Sequence, residues 1–195
     1  MRVDWRERYE RAAARYAAGE TRELDERQLV QLANSAWAAG LCLLMDGDRE
    51  GAASWLRRAA ERYRESWSPG AWGRPIGAMK ALLIAGDDAG DAARWALAAG
   101  AADAESSIGR YAGVLALLVL GRDEEARDVA ATLGAGFPGD VADALTALAE
   151  RDAGAYRAAV DSVRRSFEGR EQFLEDVPVS DTALALDVLA SRRFT

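Results

Sequence analysis

Histidine is absent from the 195 residues, and cysteine and lysine occur once each, at Cys42 and Lys80. Without an imidazole the chain lacks the commonest general base and the commonest transition-metal ligand. Ser-His-Asp and Cys-His machinery and carboxylate-histidine iron sites are therefore excluded. One thiol cannot form a disulfide within the chain, and Cys42, set among Leu41, Leu43 and Leu44, reads as an inert core thiol. No uninterrupted apolar run approaches the roughly 20 residues that a membrane span needs, and the first residues lack the apolar stretch of a secretion signal. A cytoplasmic location away from membranes is the expectation. Basic charge is scarce too: 25 Lys and Arg against 32 Asp and Glu leave a net charge of −7. Nucleic acid is not an expected partner, because that binding rests on clustered Lys and Arg against phosphate. The near-total use of arginine over lysine, with much Ala, Gly and Asp, reads as the codon pressure of a GC-rich genome.

What is present is helical periodicity. A content of 50% hydrophobic and 29% charged residues is ordinary for a globular protein, and the length suits a single domain, 1–195, with a sizeable core. The segment Tyr111–Gly121 is apolar on every side, which predicts a central helix enclosed by its neighbours. Asp103 is its expected N-cap, with Glu105 in the first turn and Ile108 continuing the face of Tyr111, Leu115 and Leu118. Before it, helices are predicted from Asp4 to Gly19, from an Asp25/Gln28 capping box to about Met45, and from Asp48 through Tyr63. The stretch Ser66–Pro75, with two prolines and two glycines, breaks the pattern. A helix from Pro75 to Gly86 and a short Ala-rich one from Asp87 to Ala99, with Trp95 inward, come next. Three more follow Gly121, and after Val177-Pro178-Val179 a last helix is capped by Ser180 or Asp181. Nothing alternates at period two, so the predicted fold is all-α, with nine or ten helices and sequential ones antiparallel.

Four helix junctions resemble one another: Leu44–Ala52, Leu83–Ala92, Val119–Ala126 and Leu148–Ala155. Each closes an apolar helix, turns on a small or polar residue, and opens the next helix with acids, which suit free N–H groups and the helix dipole. The turns at Gly47, Gly86, Gly121 and Glu150 bracket the 34-residue tetratricopeptide period. The region 25–170 thus resembles a degenerate tetratricopeptide-like array of helical hairpins, with an irregular α-helical bundle as the alternative. Residues 173–195 are expected to form an extended segment and a capping helix.

Four constellations are candidates for function. Asp87-Asp88-Ala89-Gly90-Asp91 matches the pattern with which prenyl-transferring enzymes hold magnesium diphosphate; the same acids also suit helix capping. Asp46–Gly51 opens like a calcium loop, but its twelfth position is Arg57, where a bidentate acid is required. Trp67, Trp72, Arg74 and nearby Lys80 are candidates for a recognition patch on the interrupting loop, since Trp and Arg anchor interfaces. The tryptophans could equally plug a gap between helices. Glu168, Glu171, Glu175, Asp176 and Asp181 make the C-terminal connection acidic, which suits a basic partner or simple capping and solvation.

The tail Phe173–Leu186, Phe-Leu-Glu-Asp-Val-Pro-Val-Ser-Asp-Thr-Ala-Leu-Ala-Leu, resembles the C-terminal signature of the immunity protein 49 family of bacterial polymorphic-toxin systems. That resemblance implies a cytoplasmic protein that binds and blocks a toxin without catalysis of its own, and it points to Glu175, Asp176, Pro178 and Asp181. The expectation is a noncatalytic protein-binding module with no cofactor and no metal, its partner another protein such as a toxin. The alternatives are a magnesium-dependent enzyme built on Asp87, Asp88 and Asp91, and a self-associating structural protein such as a homodimer.

Overall fold

A computed structural model describes residues 3–20 and 24–194. Among the described residues there are ten α-helices, two 3₁₀ turns and no strand: α1 (Trp5–Gly19), α2 (Glu26–Asp46), α3 (Arg49–Glu65), α4 (Gly73–Ala85), α5 (Gly90–Ala98), η1 (Ala101–Asp103), α6 (Ser107–Val119), α7 (Asp123–Ala130), α8 (Gly139–Ala149), α9 (Ala153–Glu168), η2 (Leu174–Asp176) and α10 (Asp181–Arg193). The chain is all-α, as its periodicity predicts.

Short polar side chains begin most of these helices. The Asp4 carboxylate accepts from the Glu7 amide at 2.9 Å, and that of Asp48 from the Gly51 amide at 2.9 Å. Asp25 and Gln28 form the complete capping box, at 2.8 and 3.0 Å. Such caps satisfy amides that no intrahelical carbonyl can reach, and each contributes about 1 kcal/mol. Ser180, not Asp181, caps α10. Gly86 ends α4 at φ 83°, a left-handed position where a side chain would be strained.

Three local expectations are corrected. The cap of the central helix is Ser106, whose hydroxyl accepts from the Gly109 amide at 3.2 Å; Asp103 lies in the preceding turn η1. Ile108 therefore sits in the first turn, before the helix enters the core, and is 47% exposed. The helix expected from Asp87 begins only at Gly90, because the Asp88 carboxylate accepts from the Gly90 amide at 2.8 Å and holds the chain in a turn.

Packing follows the hairpin order. Helix α1 lies on α2, α2 on α3, α3 on α4, and onward through α8 on α9; α4 touches α6 and α6 touches α8. These contacts enclose α6, whose residues Tyr111–Leu118 are all buried. Helix α2 is long and apolar enough to cross a membrane by length and composition alone, although it contains no uninterrupted apolar run of that length. Its Leu32–Leu43 stretch, apart from Asn34, is buried within the domain. The C-terminal segment then doubles back: η2 rests on α2, and α10 packs on α4, α8 and α9. We call residues 173–194 the strap, because it ties the first hairpin of the array to the last.

One glycine shows how tightly α6 is held. A Cβ at Gly113 would lie 2.6 Å from the Ala102 Cα and 2.7 Å from its amide nitrogen, backbone atoms that cannot turn aside. Gly113→Ala is expected to cost about 1–3 kcal/mol by overpacking, read as a lower urea midpoint at unchanged slope.

Candidate functional site

The loop after α3 brings three tryptophans together. Trp67 lies 5.5 Å from Trp72 between ring centroids, and 5.5 Å edge-to-face from Trp95 of α5. All three rings are half-buried. The Arg64 guanidinium covers Trp95 at 5.2 Å from its centroid, and Trp72 packs so closely on Gly109 that a Cβ there would meet its ring nitrogen at 2.8 Å. The loop is pinned to the first turn of α2 through one carboxylate, Glu26, which accepts from the Ser68 hydroxyl at 2.8 Å and from Arg74 at 3.5 Å. The rings therefore fill a gap on one side and present an edge to solvent on the other.

A cleft of ≈ 280 Å³ opens beside Trp95 between α3, α4 and α5. Ala60, Ala78, Leu82 and Ala92 line it with apolar surface, and Arg57, Glu61, Arg64, Asp87 and Asp91 supply its charges. Asp87 accepts two hydrogen bonds from Arg57, at 2.6 and 2.9 Å, and these hold its carboxyl below the usual carboxylate range. Asp91 is lowered in the same way by Arg94 at 2.6 Å. With Asp88 serving its turn, the three acids of the magnesium-like pattern are engaged separately. Among the described residues no group of three His, Cys, Asp or Glu could hold a metal ion.

Lys80 belongs to a different place. From α4 it is buried against the strap, its ammonium 2.7 Å from the Thr182 hydroxyl, 3.4 Å from both Asp181 oxygens and 6.0 Å from the centroid of Tyr111. Burial pushes its pKa down, but the Asp181 carboxylate and Tyr111 outweigh that and hold it above the ordinary lysine value. Burial raises the Tyr111 hydroxyl, with Lys80 opposing. Elsewhere along the strap Glu175 pairs with Arg15 at 2.8 Å, and Asp187 accepts from the Tyr156 hydroxyl at 2.8 Å and from Arg164. Arg193 donates to Asp123 at 2.9 Å and to the Leu118 carbonyl. Asp176 is exposed beside these contacts.

The residues singled out in the sequence thus divide into two groups. Trp67, Trp72 and Arg74 share the loop face; Lys80, Glu175, Asp176 and Asp181 belong to the strap and its seat. Trp95 joins the first group although it lies 28 positions beyond Trp67, a distance over which no local periodicity reports contact. Cys42 is buried, and desolvation pushes its thiol up to about 11, so it holds its proton at neutral pH. No protein family, no curated protein and no solved structure matches this chain.

Proposed function

We propose that the chain is a noncatalytic protein-binding module, a degenerate tetratricopeptide-like array that docks another protein on its tryptophan face. The observation that carries this reading is the contact of Trp67 with both Trp72 and Trp95, each half-exposed, with Trp95 at the edge of an apolar cleft rimmed by charge. Tryptophan and arginine dominate the energetics of interfaces when they sit in such central, partly desolvated clusters. The net charge of −7 suits a basic partner and speeds its approach. The likeness of Phe173–Leu186 to the immunity protein 49 family gives the reading its specific form: a cytoplasmic protein that holds a bacterial toxin inactive.

The test is affinity capture from the native host with wild type beside a Trp67→Ala, Trp95→Ala double variant, both checked by circular dichroism. Loss of hot-spot tryptophans is expected to weaken capture of the partner at least about 30-fold. Equal capture by both would remove the tryptophan face as the docking surface. The toxin form further predicts that the captured protein arrests growth when expressed alone and spares cells that co-express this chain.

A further inference from the structure

Among the described residues three polar or charged ones are buried: Ser35, Ser66 and Lys80. Two of them are satisfied. The Ser66 hydroxyl donates to the Tyr63 carbonyl at 3.0 Å, and Lys80 meets Asp181 and Thr182. Ser35 of α2 is only 5% exposed, yet its hydroxyl has no hydrogen-bond partner among the described residues. A serine within a helix ordinarily points to solvent or bonds back to the carbonyl four residues earlier, and a buried hydroxyl without a partner is destabilising. The Ser35 hydroxyl is not sealed in protein: it lines a cavity of ≈ 450 Å³ between α1, α2 and η2. That volume falls within the roughly 300–1,000 Å³ of small-molecule sites.

The other walls are of two kinds. Leu24 and Leu32 supply apolar surface, while Arg15 and Glu175 supply one charge of each sign. These two charges approach to 2.8 Å, but a guanidinium carries more N–H donors, and a carboxylate more lone pairs, than one such pairing uses. Both therefore keep capacity for a ligand. Glu175 joins the wall in a left-handed backbone conformation, φ 53° and ψ 25°, which is uncommon for a residue with a Cβ and clusters at functional sites. A plain anion here is repelled by Glu175 and a plain cation by Arg15; a zwitterion satisfies both. We propose that the cavity binds a free α-amino acid, its carboxylate on Arg15, its ammonium on Glu175, and its uncharged side chain against Leu24 and Leu32 with a polar end hydrogen-bonded to Ser35. A peptide carries its ammonium and its carboxylate on different residues and does not offer that pair. The cavity shares no residue with the tryptophan cluster or its cleft, so the inference does not rest on the proposed docking face.

Free L-serine, L-threonine, L-glutamine and L-tyrosine, whose side chains end in uncharged hydrogen-bonding groups, supply the test. Each is titrated into the full-length protein by calorimetry, beside the N-acetyl and carboxamide derivatives of whichever binds. At least one amino acid is expected to bind with a Kd of about 1 mM or tighter and to raise the unfolding midpoint. Either derivative lacks one of the two charges and is expected to bind at least about tenfold more weakly. Ser35→Ala is expected to weaken binding of the same amino acid roughly three- to tenfold. Its ligand-free unfolding midpoint is expected to stay level or rise, since no hydrogen bond is lost and alanine favours a helix. A serine with only a structural role would show the reverse, a lower midpoint and an unaltered affinity. The proposal is overturned if none of the four amino acids binds, if the derivatives bind as well as their parent, or if Ser35→Ala leaves the affinity unchanged.

Discussion

Lys80→Ala will destabilise the domain by about 3 kcal/mol, toward the low end of what stranding one member of a buried ion pair costs. The lysine side chain is 11% exposed and Asp181 is 24% exposed, so the abandoned carboxylate keeps some water, and the full penalty of a dry charge does not apply. The double variant Lys80→Met, Asp181→Asn strands no charge and is expected to lose much less. Comparing the two separates the cost of an orphaned carboxylate from the worth of the pair itself. If Lys80→Ala unfolds at the same urea concentration as wild type, the strap is not held by this contact.

The same lysine sets a pH limit. Its folded pKa is raised above the unfolded value of about 10.4, so its stabilisation is fully present below that pH and is lost as pH rises through the folded value. The hydroxyls of Tyr63, Tyr111 and Tyr156 are raised by burial, and they act in the same direction from their unfolded value of about 10 upward. Urea midpoints are expected to be level from neutrality to roughly pH 9.5 and to fall beyond roughly pH 10. Lys80→Met should fall less steeply there, while starting from a lower plateau.

The second large effect is expected in α6. Leu118 is wholly buried, so Leu118→Ala removes apolar surface and leaves a cavity that the surrounding helices only partly fill, costing about 3–5 kcal/mol. In a domain of this size that lowers the melting midpoint by roughly 6–20 °C. Ile108→Ala, on the same helix at 47% exposure, should stay within about 0.5 kcal/mol of wild type. A Leu118→Ala loss no larger than that of Ile108→Ala would mean that α6 is not enclosed.

That contrast within one helix shows where sequence reading succeeds. Tyr111–Leu118 is apolar all round, and a uniform pattern of that kind can only mean burial on every side. The start of α6 was less readable, because Asp103 and Ser106 are both good caps and the choice between them depends on η1, whose three residues carry no strong turn signal. Caps whose acceptor and amide lie three positions apart, such as Asp4, Asp25 and Asp48, are written locally and could be read. The strap could not. Lys80 stands out as the single lysine and Asp181 reads as one acid among several, yet 101 positions separate them, and periodicity carries no information about which distant surfaces meet. For the same reason Trp95 read as a core residue of an Ala-rich helix, and its place beside Trp67 emerged only from the fold.

The strap also orders events in time. It follows all nine preceding helices along the chain, so a ribosome presents α1 to α9 before the residues that fasten them together. Domains tend to fold from the N-terminus during synthesis, and hairpins built from neighbouring helices form quickly, whereas contacts across a hundred residues form slowly. Each newly made chain therefore passes through an interval in which the hairpins exist and the surface around Lys80 is uncovered.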